Sequence, residues 1–371
     1  MSNNNTPAVE IVGSFLPPAQ LEEAIARKRQ GQITDEQLHE IEDAAIDALI
    51  DREIEAGLHT VTDGEMRRKA WDRDFWEGFN GIERERIDTG RIYQDDVVRH
   101  DLLKFADRMA FNPEHPFFGK YTHMLAITRG RADVRQTMPS PGELYMRVVM
   151  ATDGDLSREY PSPDTFIDDI IEAYRLTIKE LYRLGCRHIQ FDSSVWGRLS
   201  DPDCERRLLL GGLDPEAITD TLLHLINSTI ADRPADLEIT LSIAADATHA
   251  PRWNDPNEQR HLTRMLQTVD ADAFLLPFDI HSPQQVNALA EVPEGKRVIL
   301  GLVNGTEPGL ESVEEIVDFV RAAQSYIPMS LLAISPTNGF HIPQPELQGL
   351  DFETQWTKID LLKRAAAACA E

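Results

Sequence analysis

The chain has 371 residues, with 37 Lys and Arg against 63 Asp and Glu, for a formal net charge of −26. Charge of that sign repels phosphate backbones and anionic lipid, which argues against nucleic acid or a membrane surface as partner. Its three cysteines, Cys186, Cys204 and Cys369, form no CxxC pair and suit a reducing cytoplasm better than a disulfide scaffold. No apolar run approaches the ~18 residues of a membrane span, and MSNNNTPAVE has neither a basic n-region nor an apolar h-region. These totals read as a soluble cytoplasmic protein with enough chain for a large core.

In chain order, EIVGSF (10–15) reads as a first strand. Thr34 and Gln37 then form a capping box for a helix whose Leu38, Ile41, Ala45 and Leu49 share a face until Gly57. HTVTDGE (59–65) is a second strand, after which Trp71, Phe75, Trp76 and Phe79 fall at the spacing of a packed helix face. The segment 82–130 fits neither period, and its RERIDTGRIYQDD and FNPEHPFFGKY stretches read as an inserted hairpin and loops over one barrel face. DVRQTMPS (133–140) resumes the strands. Ser162 caps a helix carrying Phe166, Ile170, Tyr174, Ile178 and Leu181, stopped at Gly185. HIQFDS (188–193), LEITLSIA (237–244), AFLLPFD (273–279), RVILGLV (297–303) and LLAISP (331–336) complete the strands, with a helix boxed by Ser312 and Glu315 and stapled by Leu310 before the last.

Strands alternating with helices predict a parallel sheet, and eight such units predict an α/β fold closed as a (β/α)8 TIM barrel. An open doubly wound sheet is the competing architecture, but no GxGxxG or GxxxxGK[ST] phosphate cradle occurs. No repeat, low-complexity tract or linker divides the chain, so residues 1–371 are expected to form one domain.

A TIM barrel builds its site at the C-terminal strand ends. There the sequence places Ser14; Asp63 and Glu65; Ser140; Asp192; Ser242 and Asp246; Asp279; Asn304 and Thr306; Thr337 and Asn338. Any one of these is equally a strand-end cap or Asx turn. Glu65 and Asp192 stand apart as carboxylates directly after apolar strands, aimed at one mouth where desolvation and mutual repulsion shift pKa values, and they are the expected catalytic pair. His249 and His281 lie in loops after strands and serve either as surface residues or as acid, base or ligand. Arg67 and Arg68 either clamp a substrate carboxylate or pair with neighbouring acids. No GxSxG elbow occurs, and no cysteine falls at a strand end.

VGSF (12–15), TDGE (62–65), IQFD (189–192) and LLAISPTNGF (331–340), in that order, resemble the strand-end motifs of the cobalamin-independent methionine synthase family, specifically its catalytic C-terminal barrel. The likeness runs from about residue 10 to 365 and implies a stand-alone core form. It implies a homocysteine-type pocket in which Ser14 and Glu65 hold the amino acid's polar atoms and Asp192 its ammonium group. Family chemistry implies a zinc held by a His–x–Cys pair, a Glu and a Cys, which keeps the thiol as thiolate. Those positions align here with Ser242, Ala244, Pro277 and Asn338, and the family's acid histidine with Thr306.

With no thiol or imidazole at these positions, zinc is not expected, no other cofactor is predicted, and the methyl donor is unspecified. The leading expectation is an enzyme acting on a small amino acid or organosulfur substrate by methyl or alkyl transfer or C–S bond chemistry. In it Glu65 and Asp192 orient substrate or exchange protons, while Ser14, Asp63, Ser242, Thr306 and Asn338 line the pocket. Two alternatives stand beside it: a genuine homocysteine S-methyltransferase with a different metal, bound through Asp246, His249, Asp279 or His281, and a non-catalytic small-molecule binding barrel. The expected partner is a small-molecule substrate, with homo-oligomerisation left open.

Overall fold

The computed structural model describes residues 6–93, 96–152, 160–243, 251, 253, 256–341 and 349–370. Among them the chain forms β1 (Ala8–Val9), β2 (Thr60–Val61), β3 (Asn80–Tyr93), β4 (Asp96–Ala110), β5 (Asp133–Pro139), β6 (His188–Ser193), β7 (Glu238–Ile243), β8 (Ala273–Pro277), β9 (Arg297–Val303) and β10 (Leu332–Pro336). All but β3 and β4 lie parallel in one curled sheet, in the order β1-β10-β9-β8-β7-β6-β5-β2. Helices such as Pro163–Arg183, Pro215–Ile230 and Val313–Ala323 carry the chain back between strands, as parallel pairing requires. The architecture is the TIM-barrel-like α/β fold that the sequence predicts. No helix among the described residues is long and apolar enough to cross a membrane.

The two ends of the sheet, β1 and β2, share no ladder among the described residues. The seam closes just beyond them, where Phe15 N donates to Gly64 O (3.0 Å) and Thr62 Oγ1 donates to Gly13 O (2.8 Å). The first strand is therefore earlier and shorter than 10–15. Glu10 N still donates to Ile334 O (2.9 Å), but residues 13–15 bond to the turn 62–64 and to the loop after β10 instead of to a neighbouring strand.

The expected insertion over 82–130 resolves into two unrelated pieces. β3 and β4 form a long antiparallel hairpin, whereas Pro116–Thr128 is a helix of the barrel layer, buried through Phe117, Phe118, Tyr121 and Met124. Its start is hard to read because a histidine supplies the cap: His115 Nδ1 accepts from Phe117 N (3.2 Å). The stretch Trp71–Phe79 is helical only over Arg73–Trp76, yet Phe75, Trp76 and Phe79 are buried in an aromatic cluster with His115, Phe117 and Tyr174. Thr34 and Gln37 make the predicted capping box, and Ser162 and Ser312 cap their helices. Leu310 is 51% exposed, so the predicted staple is not made.

Side chains alternate across a strand, so every second residue enters the barrel. At the bottom of the lumen Glu10 pairs with Arg135 of β5 and Arg297 of β9, and Arg297 Nη2 reaches Glu238 of β7 at 3.0 Å. Above this ionic layer, Leu275, Ile299 and Ala333 pack with Val12 on one side, while Gln190 occupies the other. Glutamine links the layers: its Oε1 accepts from Arg135 Nη1 (3.2 Å), and its Nε2 donates to Val12 O (2.5 Å) and Asp192 Oδ1 (2.8 Å).

Candidate active site

TDGE leaves β2 through a tight turn. Thr62 Oγ1 accepts from Gly64 N (3.1 Å), Asp63 Oδ1 accepts from Glu65 N (3.0 Å), and both Gly64 and Glu65 adopt left-handed backbone, φ +61° and +58°. For glutamate this conformation costs roughly 1–3 kcal/mol, strain of the kind found where geometry serves a site. The turn presents the Glu65 carboxyl to Thr137 of β5, whose Oγ1 donates to Oε1 (2.9 Å), and to Arg68, whose Nη1 lies 3.0 Å from the same oxygen. Arg68 is itself fixed by donating Nη2 to Thr137 O (2.7 Å) and Oγ1 (2.6 Å). Gly13 makes the approach feasible, since a Cβ there would lie 3.1 Å from Glu65 Oε1.

Asp192 sits at the top of β6, two residues beyond Gln190 and therefore on the same inward face. Its backbone carbonyl accepts from Ser140 N (2.9 Å). Behind it, buried Glu143 accepts from Ser194 N (2.5 Å), Val195 N (2.8 Å) and Ser194 Oγ (2.9 Å), which fixes the turn that follows the aspartate. Burial and then the charge of Glu65 push the Asp192 carboxyl up to about 8, against the lowering effects of Gln190, Arg68 and Ser242. Burial likewise raises Glu65, with Arg68 opposing. The two acids thus share one electrostatic environment, and at neutral pH the pair holds a proton.

Asp63 is buried and committed to the turn beneath Glu65. Ser242 lies opposite Asp192 in the β6–β7 register, fully buried, near enough to lower the aspartate's pKa yet without hydrogen-bond geometry to any described residue. Ser14 stands at the seam, its Oγ accepting from His341 N (3.4 Å) and facing Gly339. Thr306 turns back on its own loop, donating N (2.9 Å) and Oγ1 (2.8 Å) to Asn304 Oδ1. Asn338 Oδ1 accepts from Gly305 N (3.2 Å) and Thr337 Oγ1 (2.7 Å), which ties the loops after β9 and β10 together. Arg67 pairs with Glu42 (3.5 Å) and Asp43, so of its two readings the acid pairing holds.

Thr137, Gln190 and Glu143 join the site although the sequence does not single them out. The first two carry a signal: Arg135 and Thr137 in DVRQTMP, and Gln190 and Asp192 in HIQFDS, put polar residues at period two inside strands otherwise buried. In a parallel strand that pattern marks the lumen face. Glu143 lies on a helix, with no such signal.

The residues at the aligned zinc positions do not suit that metal. Ser242 offers a hydroxyl, Pro277 no side-chain donor, and Asn338 an amide already engaged by two donors. Ala244 lies outside the described residues, and alanine has no donor atom. Among the described residues no three His, Cys, Asp or Glu side chains cluster to hold a metal ion. Of the alternative ligands, Asp279 accepts from His281 N (2.9 Å) and Ser282 Oγ (2.9 Å) in a local turn, while His281 is exposed beside Glu315 at 3.3 Å. Asp246 and His249 lie outside the described residues.

A barrel with two desolvated carboxyls at its C-terminal mouth defines a class, and comparison with known proteins gives the family. The profile of the cobalamin-independent synthase catalytic domain matches residues 151–346. The uncharacterized protein YxjH of Bacillus subtilis (strain 168) is 30% identical over 352 residues, covering 94% of this chain and 90% of that one. A Listeria monocytogenes structure, provisionally named a vitamin-B12-independent methionine synthase, superposes with a TM-score of 0.74 at 25% identity, covering 98% of this chain and 99% of that one. A B12-independent methionine synthase from Shewanella sp. W3-18-1, solved in complex with selenomethionine, shares the fold with a TM-score of 0.67 at 16% identity, over 98% and 97% of the two chains. The chain belongs to the cobalamin-independent methionine synthase family.

Proposed function

We propose that the protein is a family transferase that acts on a small thiol- or thioether-bearing amino acid or related organosulfur compound, by methyl or alkyl transfer or C–S bond chemistry, without the family's zinc. The observation that carries this reading is the Glu65–Asp192 pair, in which Asp192 is pushed up to about 8. A free thiol ionises near pH ~8.5, so a carboxylate of that basicity takes its proton at little free-energy cost. Once Asp192 is ionised, the proton moves from sulfur to its carboxylate, and the thiolate attacks the alkyl carbon of an electrophilic donor, whose leaving group departs with the electron pair. Glu65, fixed by Thr137 and Arg68, and Ser14 orient the polar end of the substrate. The selenomethionine bound by the Shewanella protein is the selenium analogue of a thioether amino acid of the proposed class.

The test is a thermal-shift screen with homocysteine, methionine, related thioethers and reduced folates, followed by turnover assays on each stabilising compound. A ligand at 100 times its Kd stabilises by roughly 2.7 kcal/mol. Loss of ~10²–10⁴-fold in kcat in Asp192→Asn supports proton transfer by this residue. A ligand that binds with no turnover in any pairing would instead make the barrel a binding protein. Stoichiometric zinc in the purified protein would restore metal-dependent methionine synthesis.

A further inference from the structure

On the side of β2 and the β3–β4 hairpin lies a shallow, open groove of about 480 Å³. Arg67, Lys69, Arg84 and Lys120 line it, against the carboxylates of Asp74 and Glu77. In a chain of net charge −26 this gathers four cationic side chains around one groove. The acids are already matched: Arg84 donates to Asp74 Oδ1 (2.8 Å) and Glu77 Oε1 (2.5 Å), and Asp74 Oδ2 accepts from Lys69 N (2.6 Å). Arg67 is held by Glu42 and Asp43.

Lys120 is different. Its side chain is half-buried, and its ammonium lies 4.4 Å from the centroid of Phe117, with no carboxylate at ion-pair distance among the described residues. The charged groups around it are Asp63, Glu65, Asp74, Arg67 and Arg68; burial lowers its pKa, with Asp63 and Asp74 opposing. A partly desolvated ammonium with carboxylates nearby but none in contact is incompletely compensated, and a bound anion would complete the compensation. Arg68 approaches the same ring at 5.1 Å while contacting Glu65, so one aromatic side chain separates the cleft from the carboxyl pair.

We propose that this cleft is an oxyanion-binding site adjoining the mouth, which takes a carboxylate or phosphate group of a small molecule with Lys120 as its anchor. Lys69 is a second lining cation, while Arg67 and Arg84 are already paired with acids.

Calorimetric titration of the full chain with glutarate and with inorganic phosphate, at ionic strength held constant with sodium chloride, tests this and separates the two sources of oxyanion. Saturable binding of at least one is expected. Lys120→Met should weaken it by about tenfold or more, as for a lost charge-assisted hydrogen bond. Lys120→Arg should stay within about threefold because the charge is kept. Lys179→Met, on an exposed helix surface, should leave it unchanged. Equal affinity in wild type and Lys120→Met, or no saturable binding of either anion, overturns the proposal. Because binding is read without turnover, this result is independent of whether the transfer reaction is correct.

Discussion

Gly339 and Ser14 meet so closely at the barrel mouth that a methyl group on residue 339 would lie 1.9 Å from Ser14 Oγ and 3.1 Å from its Cβ. The serine hydroxyl is thereby confined to one side of the seam. Gly339→Ala should cost ~1–3 kcal/mol through overpacking and weaken ligand binding by rotating the hydroxyl away. In a Ser14→Ala background the clash with oxygen is gone, so most of that stability cost should vanish. Denaturant unfolding of the four proteins in this cycle measures the coupling, and strict additivity would show that the two residues do not interact.

Asp192 makes stability fall with rising pH. Its folded pKa, about 8, lies above the ordinary 3.8, so folding takes up a proton. This contribution is fully present below about pH 4 and is lost as pH rises through 8. Asp192→Asn should flatten the curve over that window and leave the variant more stable than the wild type at pH 8. Melting temperatures between pH 5 and 9 check it. In the wild type, kcat/KM for a thiol substrate should rise up to about pH 8 and then level as the carboxylate ionises.

The ionic layer below acts in the opposite direction. Burial raises Glu10, but Arg135 and Arg297 outweigh it and the net shift is downward. For Glu238, burial is likewise overcome by His188 and Arg297, leaving the carboxyl at about 2. Both contribute stability present above the ordinary value of 4.5 and lost as pH falls toward 2. Glu10→Gln strands the buried Arg135 guanidinium and leaves the partly buried Arg297 with Glu238 alone, and should cost ~3–5 kcal/mol at neutral pH, with weaker sensitivity to acid. Acid titration followed by circular dichroism tests both parts.

Gly78 lies under the His115 ring, where an added Cβ would fall 2.3 Å from Nε2. That nitrogen donates to Phe75 O (2.9 Å), while burial lowers the imidazole pKa to about 4 and keeps it neutral. Gly78→Ala should destabilise the aromatic cluster by ~1–3 kcal/mol without altering affinity for a ligand held at the Glu65–Asp192 mouth, since neither residue contacts those acids. Unfolding midpoints alongside ligand titrations distinguish the two effects.

The barrel is legible in the sequence because its eight parallel strands are short apolar runs punctuated by turn residues, and because helices such as Asp35–Glu55 and Pro163–Arg183 open on serine or threonine caps. The placement of Glu65 and Asp192 follows from their position after apolar strands. Features set by tertiary contact are obscured. A ring nitrogen begins the helix Pro116–Thr128, and the bonds of residues 13–15 go to loops and not to a strand. Thr137 and Gln190 show as lumen-facing by their period-two polar spacing, but the sequence does not tell which acid each serves.

The seam between β1 and β2 divides the mouth into parts of unequal stiffness. Asp192 rides in the middle of an unbroken ladder, with β5 on one side and β7 on the other. Ser14 and Glu65 flank the one junction held by a backbone bond from Phe15 to Gly64 and a threonine hydroxyl. Asp192 is therefore clamped from both sides by strand pairing, whereas Ser14 and Glu65 lie on opposite sides of a junction secured by two hydrogen bonds.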